Sequence, residues 1–557
     1  RTLRAAAVFG QVFWDDGVDR LLGGPRRGIE AAAWLGELTK QEVISARSES
    51  KFPGRREYTF RHALVREAAY EMLTEQDRAL GHRLAGSWLV EVGESDAIVL
   101  AEHLDRGGES AQAVGWYRRA AEQALEGHDL GAVLGRCARG ITLGLAARVS
   151  DDVLGALRVS EAAARLWRGE VDEANRSAAD AMERLPPGDT LWYRAATWAI
   201  VSESGQSMRL DRLNHWITTA KNAEPAPAAR GAQIVCLARG AITLVAAGQK
   251  GADELLAQIE KLAGDRSGLD PATIADVERA RAFRSLYAGD LVGALVAFEA
   301  TIAAADDAND RRTSCLIRCN LGFVYKQLGA FEHAEQELRQ SLSMADAMGL
   351  RNVSTAATHN LGMVLAYLGR LDEAAEVEQK ALDVYARLGD KRLEGGSHCY
   401  LSAIAHLAGD HERAEREARA AAGLLENSPP MRVCALAARA RALLSLGRAS
   451  DALTSARGAV ELLDGLVRVE EGEAAARLTY AEALAATGDH AAASVAIAVA
   501  RERILARAAD MHRADLRQSY LERVTDNARV LELSVVWRVG GASPVSQRAP
   551  SIPALGG

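Results

Sequence analysis

The chain has 557 residues, of which 48% are hydrophobic but only 5% aromatic, with 12 Pro. That is several times a domain of about 100–200 residues, and apolar content supplied mainly by Ala and Leu suits helices. A formal net charge of −8 and a pI near 5.9 repel polyanions, which disfavours nucleic acid as the main partner.

The first ninety residues predict two helical stretches, about 1–9 and 26–39, then EVISARS and REYTF as short strands around the turn ESKFPG, then a helix from Arg61. Helices followed by a two-stranded wing are the outline of a winged-helix domain, with expected bounds 1–74. From 75 to about 530 a helical repeat takes over, weakly at first. Gly108 is followed by Ala113 and Ala120, and Gly169 by Ala174 and Ala181, and the pattern decays around Gly205 and Gly248.

The repeat then becomes regular. Gly289, Gly329, Gly369, Gly409, Gly447 and Gly488 follow one another at steps of 40, 40, 40, 38 and 41 residues. Each is expected to end a helix in the left-handed conformation that a Cβ resists. Five residues on, Ala294, Ala334, Ala374, Ala414, Ala452 and Ala493 fall in the first turn of the next helix, where a small side chain lets two helices approach closely. Ala381, Ala421, Ala459 and Ala500 repeat this two turns later. Leu321, Val324, Tyr325 and Leu328 form an apolar stripe at helical spacing. PPGD, AEPAPA, GLDP and NSPP break helices. The expected fold is all-α, a solenoid of about ten helix pairs with the small N-terminal domain in front and a disordered tail over 531–557.

These marks resemble the tetratricopeptide (TPR) family, whose pattern has a Leu-Gly pair and an aromatic in the first helix and alanines in the second. In NLGFVYKQLGAFEHAEQEL, Leu321, Gly322, Tyr325, Gly329 and Ala334 occupy it. In NLGMVLAYLGRLDEAAEVEQKAL, Leu361, Gly362, Gly369, Ala374 and Ala381 do, with Leu365 at the aromatic position. The family period is 34, so about six extra residues per unit imply helices longer by roughly 9 Å in total. LRAAAVFGQVFW, REYTFRHALVREAAYEMLTEQDRALGHRLAGSWL and VLAEHLDRGGE also resemble the region after the ATPase core of bacterial STAND-class signalling proteins, over roughly residues 1–145. That resemblance implies a regulatory module joined in a longer parent to a nucleotide switch that uses ATP or ADP with Mg, and to an output domain. A serine/threonine kinase parent and a winged-helix transcription regulator are the alternatives. The chain opens RTLRAAAVFG without an initiator Met or a secretory pattern, as expected of an internal piece of a cytoplasmic protein.

No GxxxxGK[ST] loop, kinase glycine loop, HRD, DFG, HExxH or GxSxG occurs, so neither catalytic residues nor a cofactor are expected in this chain. His62, next to Arg61, resembles the Met-His-Asp nucleotide sensor of STAND ATPases, although Arg61 and Ala63 replace its neighbours; a His that packs the wing is the other reading. Arg55, Arg56, Arg61 and Arg66 alternate with Glu57, Glu67 and Glu71, which reads as a solvated surface rather than a DNA-contacting wing. By the TPR pattern, Asn320, Phe323, Lys326, Asn360, Met363, Tyr367 and His406 are expected to line a ligand groove. Their chemistry suits an extended acidic or C-terminal peptide of a protein partner. Cys315 and Cys319, and His359, His398 and His406, lack metal-ligand spacing. The six cysteines form no CxxC pair, as in a reducing compartment, and no membrane span is expected.

Overall fold

The computed structural model describes residues 1–24, 31–203, 209–266, 268–466, 469 and 471–539. The predicted start of the second helix at 26, Gly205 and the last residues of the tail lie outside them. The chain divides into two compact units, Arg1–Cys236 and Leu237–Gly557.

The first unit opens with α1 (Thr2–Phe9), β1 (Val12–Trp14), α2 (Asp15–Leu22), α3 (Ala31–Lys40), β2 (Ile44–Ala46), β3 (Glu57–Phe60) and α4 (Ala63–Glu71). The strands pair antiparallel in the order β1-β3-β2, with Phe13 opposite Tyr58 and Ser45 opposite Thr59. Phe13, Val18, Leu35, Ile44 and Phe60 form the core beneath this sheet. Glu57 ties down the connection between β2 and β3, accepting from Trp14 Nε1 at 3.1 Å, the Lys51 amide at 2.7 Å and Arg47 at 2.6 Å. β1 was not among the predicted elements: it pairs with β3 across the intervening α2 and α3 rather than in a local hairpin, so no turn signal marks it.

Helices α5 (Glu75–Glu91) and α6 (Ala97–Arg106) lead into three hairpins. These are α7 (Ser110–Glu126) with α8 (Leu130–Ala147), α9 (Asp151–Arg168) with α10 (Val171–Arg184), and α11 (Thr190–Ser202) with α12 (Leu210–Asn222). The division between units falls inside α13 (Arg230–Ala246). Two segments that the sequence reading did not single out, Leu130–Ala147 and Pro227–Ala246, are long and apolar enough to cross a membrane by length and hydropathy alone. In α8 two glycines allow neighbouring side chains to pack closely. A Cβ at Gly140 would meet Leu157 and Tyr117 at 3.1 Å, and one at Gly144 would meet Leu154 at 2.8 Å.

In the second unit, α14 (Ala252–Ala263) precedes six hairpins: α15 (Pro271–Ala288) with α16 (Leu291–Asp307), α17 (Arg311–Gln327) with α18 (Phe331–Met348), α19 (Arg351–Tyr367) with α20 (Leu371–Leu388), α21 (Lys391–Leu407) with α22 (His411–Leu424), α23 (Pro429–Ser445) with α24 (Ala449–Asp464), and α25 (Glu473–Ala486) with α26 (His490–Ala509). Each hairpin turns at one of the six periodic glycines, whose φ values lie between 73° and 91°. The amide after each glycine closes on the carbonyl five residues back, as in Asp290 N to Ser285 O and Ala330 N to Tyr325 O, both 2.9 Å, which satisfies an orphan helix carbonyl. The alanines five residues on are 0% or 1% exposed. Helices of 17 and 18 residues in α17 to α20 absorb the long period.

The described residues end in α27 (Ala514–Glu522) and α28 (Thr525–Val539). Residues 531–539, expected to be disordered, are helical because Val530, Leu533 and Ser534 are buried in this unit. α27 reaches the α17–α18 turn, where a Cβ on Gly329 would come 2.8 Å from the Ser519 carbonyl oxygen, whereas one on Gly369 would meet nothing within 4 Å. Both glycines are left-handed, so alanine at either costs about 1–2 kcal/mol. Gly329→Ala is expected to cost about 1–3 kcal/mol more through overpacking, measured by denaturant unfolding. Equal losses would mean that α27 does not rest on that turn.

Candidate functional site

The periodic glycines also serve as a ruler for the face of the first helices. Three residues before Gly329, Gly369 and Gly409 stand Lys326, Ala366 and His406, and nine before stand Asn320, Asn360 and Tyr400. Six before the five glycines from Gly329 to Gly488 stand Phe323, Met363, Ala403, Arg441 and Glu482. The first helices α17, α19, α21, α23 and α25 lie side by side, so these positions share one continuous face.

Lys326 is the centre of a built carboxylate site. Its side chain is only 1% exposed, and its ammonium donates at 2.9 Å to Glu471 Oε1 and also to the Tyr400 hydroxyl. The Tyr400 hydroxyl donates in turn to Glu471 Oε2 at 2.9 Å, so both carboxylate oxygens are held. The ammonium lies 4.6 Å from the ring centres of both Phe323 and Tyr400, a cation–π arrangement that offsets part of its desolvation. Burial by itself would raise the Glu471 carboxyl, but Lys326 and then Tyr400 hold it below the ordinary carboxylate value. Burial, followed by the charge of Glu471, pushes the Tyr400 phenol well up, so it stays a donor.

A second polar layer fixes Tyr400. Its ring stacks on His359 at 4.2 Å with an interplanar angle of 4°. His359 Nδ1 lies within hydrogen-bond distance of Glu378 Oε1, at 2.7 Å, and of the Ser397 hydroxyl, at 3.3 Å. Glu378 is fully buried, and burial raises its pKa against the opposing pull of His359. Nine residues after the periodic glycines the sequence reads Phe298, Leu338, Glu378, Ala418, Ala456 and Ile497, so one acid stands where every other repeat is apolar. Gly362 makes room for it: a Cβ there would come 2.7 Å from Glu378 Oε2.

α27 and α28 lie on the same face. Arg441, from α23, pairs with Asp526 in the first turn of α28, and Arg529 reaches Glu482 at 3.3 Å. Arg523 pairs with Glu332 at 2.7 Å and sits 5.2 Å over the Phe331 ring, which itself stacks on Tyr367 at 4.8 Å. The two inner cations of this face, Lys326 and Arg441, therefore each hold a carboxylate contributed from beyond α24.

Tetratricopeptide-type structures are similar to this chain. A signal transduction ATPase with numerous domains that carries a tetratricopeptide repeat sensor, from Pyrococcus horikoshii, aligns at 14% identity and a TM-score of 0.40, covering 84% of this chain and 65% of that one. This chain thus spans less than two thirds of the Pyrococcus protein. A Rap protein complexed with competence and sporulation factor aligns at 12% identity and a TM-score of 0.46, covering 69% and 99%. NprR in complex with its cognate peptide NprX aligns at 13% identity and a TM-score of 0.44, covering 61% and 96%. No protein-family model matches the sequence, and no curated protein does.

The structure gathers most of the predicted groove residues on this face but not as free side chains. Lys326 is engaged by Glu471, Met363 is buried, and Phe323 and Tyr367 are half-buried among the rings already described. Asn320 is half-buried. Asn360 is too, and it donates to its own helix at the Ala356 carbonyl, 3.2 Å away. His406 is pushed down to about 4 by burial, with Arg441 and His411 adding to the effect, so it is neutral at neutral pH. His62 is exposed at the start of α4, and Arg61 beside it pairs with Glu42 at 3.1 Å. His359 and His398 are taken by Glu378 and Glu417, and no three His, Cys, Asp or Glu side chains among the described residues are placed to share a metal ion. Tyr400, Glu378, Arg441 and Glu471 were missed. The glycine ruler could have found the first three, whereas Glu471 lies outside the repeat.

Proposed function

We propose that the chain is a regulatory helical-repeat module of a cytoplasmic signalling protein, and that its second unit takes an extended acidic or C-terminal peptide of a protein partner along the first-helix face. The observation that carries this reading is the carboxylate-holding geometry of Lys326, Tyr400 and Arg441. Asn320 and Asn360, 40 residues apart at equivalent positions, add amides that can hold successive backbone or carboxylate groups. A hydrogen bond to a charged group contributes about 1.5–3 kcal/mol, so Asn320→Ala/Asn360→Ala is expected to weaken peptide binding at least about tenfold with helicity unchanged. Peptide arrays probed with both proteins, with circular dichroism as the folding control, measure this. Equal binding by a folded double variant would move the site elsewhere on the solenoid.

The N-terminal helices and three-stranded sheet are, on this reading, a winged-helix-like relay to a nucleotide-switch domain. Leu64 in α4 and Met72 just after it, 78% and 68% exposed, are large apolar side chains that a neighbouring domain would cover. In a longer chain that carries such a domain, His62→Ala is expected to speed ADP dissociation. An unchanged dissociation rate would leave His62 as a helix-start residue only.

A further inference from the structure

Resting on the peptide-binding reading, we propose that the first-helix face of the second unit is self-occupied: Glu471 and Asp526 stand where the carboxylates of an acidic ligand would bind, and the ligand must displace them. Two independent contacts point the same way. Lys326 and Arg441 lie on different first helices, and each is neutralised by an acid supplied from outside the repeat, Glu471 just before α25 and Asp526 at the start of α28. At the first contact the receiving group is the built one. The Lys326 side chain is 1% exposed and clamped between two rings, whereas the Glu471 side chain is 30% exposed and arrives on a connection. Tyr400, held by its stack on His359, keeps its hydroxyl aimed at the carboxylate.

The chemistry of exchange selects the ligand. One carboxylate replacing another keeps Lys326 paired throughout, but a neutral ligand would strand a buried charge. A peptide with acidic side chains spaced along an extended backbone is therefore the class that can open the face. Because the open state is a fraction of the whole, the internal acids lower the apparent affinity by that fraction.

The test uses the whole chain and a fluorescein-labelled Gly-Glu-Gly-Glu-Gly-Glu peptide with a free C-terminus, beside its Gln-containing, amidated counterpart. Glu471→Gln/Asp526→Asn keeps the shapes and removes the competing charges, and should bind the acidic peptide about tenfold tighter than wild type or better. Adding Lys326→Met should remove the share of the gain that comes from Glu471→Gln, and the amidated peptide should bind neither protein. Equal affinity of wild type and the double variant would overturn self-occupation while leaving the peptide-binding reading standing. No binding by either folded protein would overturn both. Independently of any peptide, sodium acetate should raise the melting temperature of Glu471→Gln, or of Glu471→Ala, more than that of wild type. An equal response at matched ionic strength would also count against a transferable carboxylate site.

Discussion

Glu471→Ala is expected to destabilise the second unit by about 3–5 kcal/mol, because it leaves the Lys326 ammonium buried without a counter-charge. Lys326 cannot escape to water, since its side chain is 1% exposed and packed between Phe323 and Tyr400. Glu471→Gln still offers an acceptor and should cost less. Lys326→Met/Glu471→Leu, which removes both charges and keeps the volume, should return most of the stability, as replacing a whole buried pair often does. Urea unfolding followed by circular dichroism measures all three. A loss below about 1 kcal/mol for Glu471→Ala, the value of an exposed pair, would show that Lys326 is solvated and that the site is not built as described.

Acidification to pH 5 should weaken the first unit by about 4 kcal/mol through two histidines. Tyr70 in α4, His82 in α5 and His103 in α6 form a chain, with the Tyr70 hydroxyl 2.7 Å from His82 Nε2 and the two Nδ1 atoms 3.1 Å apart. Burial, helped by Arg106, pushes His82 down to about 4. Burial, then His82 and Arg106, pushes His103 down to about 3. Both are neutral in the folded chain at pH 5, while in the unfolded chain their pKa is near 6.5. As the pH falls below 6.5 the unfolded state takes up protons first, so stability present at pH 7 is lost progressively towards pH 4. At pH 5 each histidine accounts for roughly 2 kcal/mol. His82→Gln/His103→Gln should flatten this part of the profile. Unfolding followed by the fluorescence of Trp14 and Trp88, which pack 5.5 Å apart in this unit, measures the difference between pH 7 and 5. Identical pH slopes for wild type and variant would mean that the pair is already charged in the fold.

The hairpin fold was legible because its determinants are local. A left-handed glycine, an alanine five residues later and apolar residues three and four apart are all read within one turn or one helix. The ruler they make also exposes Glu378 and His359, since an acid at a position that is otherwise Phe, Leu, Ala or Ile, and a His at one occupied by Cys in the next repeat on either side, break a pattern that packing imposes. The sequence reading used the ruler for the turns and not for the faces, and so passed over Tyr400 and Arg441.

By itself, then, the sequence determined the helical repeat, its 40-residue period and the small antiparallel N-terminal element, all products of short-range backbone and packing preferences. Only the tertiary structure decided which charges meet. Lys326 and Glu471 are 145 residues apart, Arg441 and Asp526 are 85 apart, and Glu332 and Arg523 are 191 apart. An ion pair between side chains so distant leaves no periodic trace, because nothing in the local helix requires either partner. It exists only once stacking of the repeats brings the first-helix face, the connection before α25 and the last two helices together.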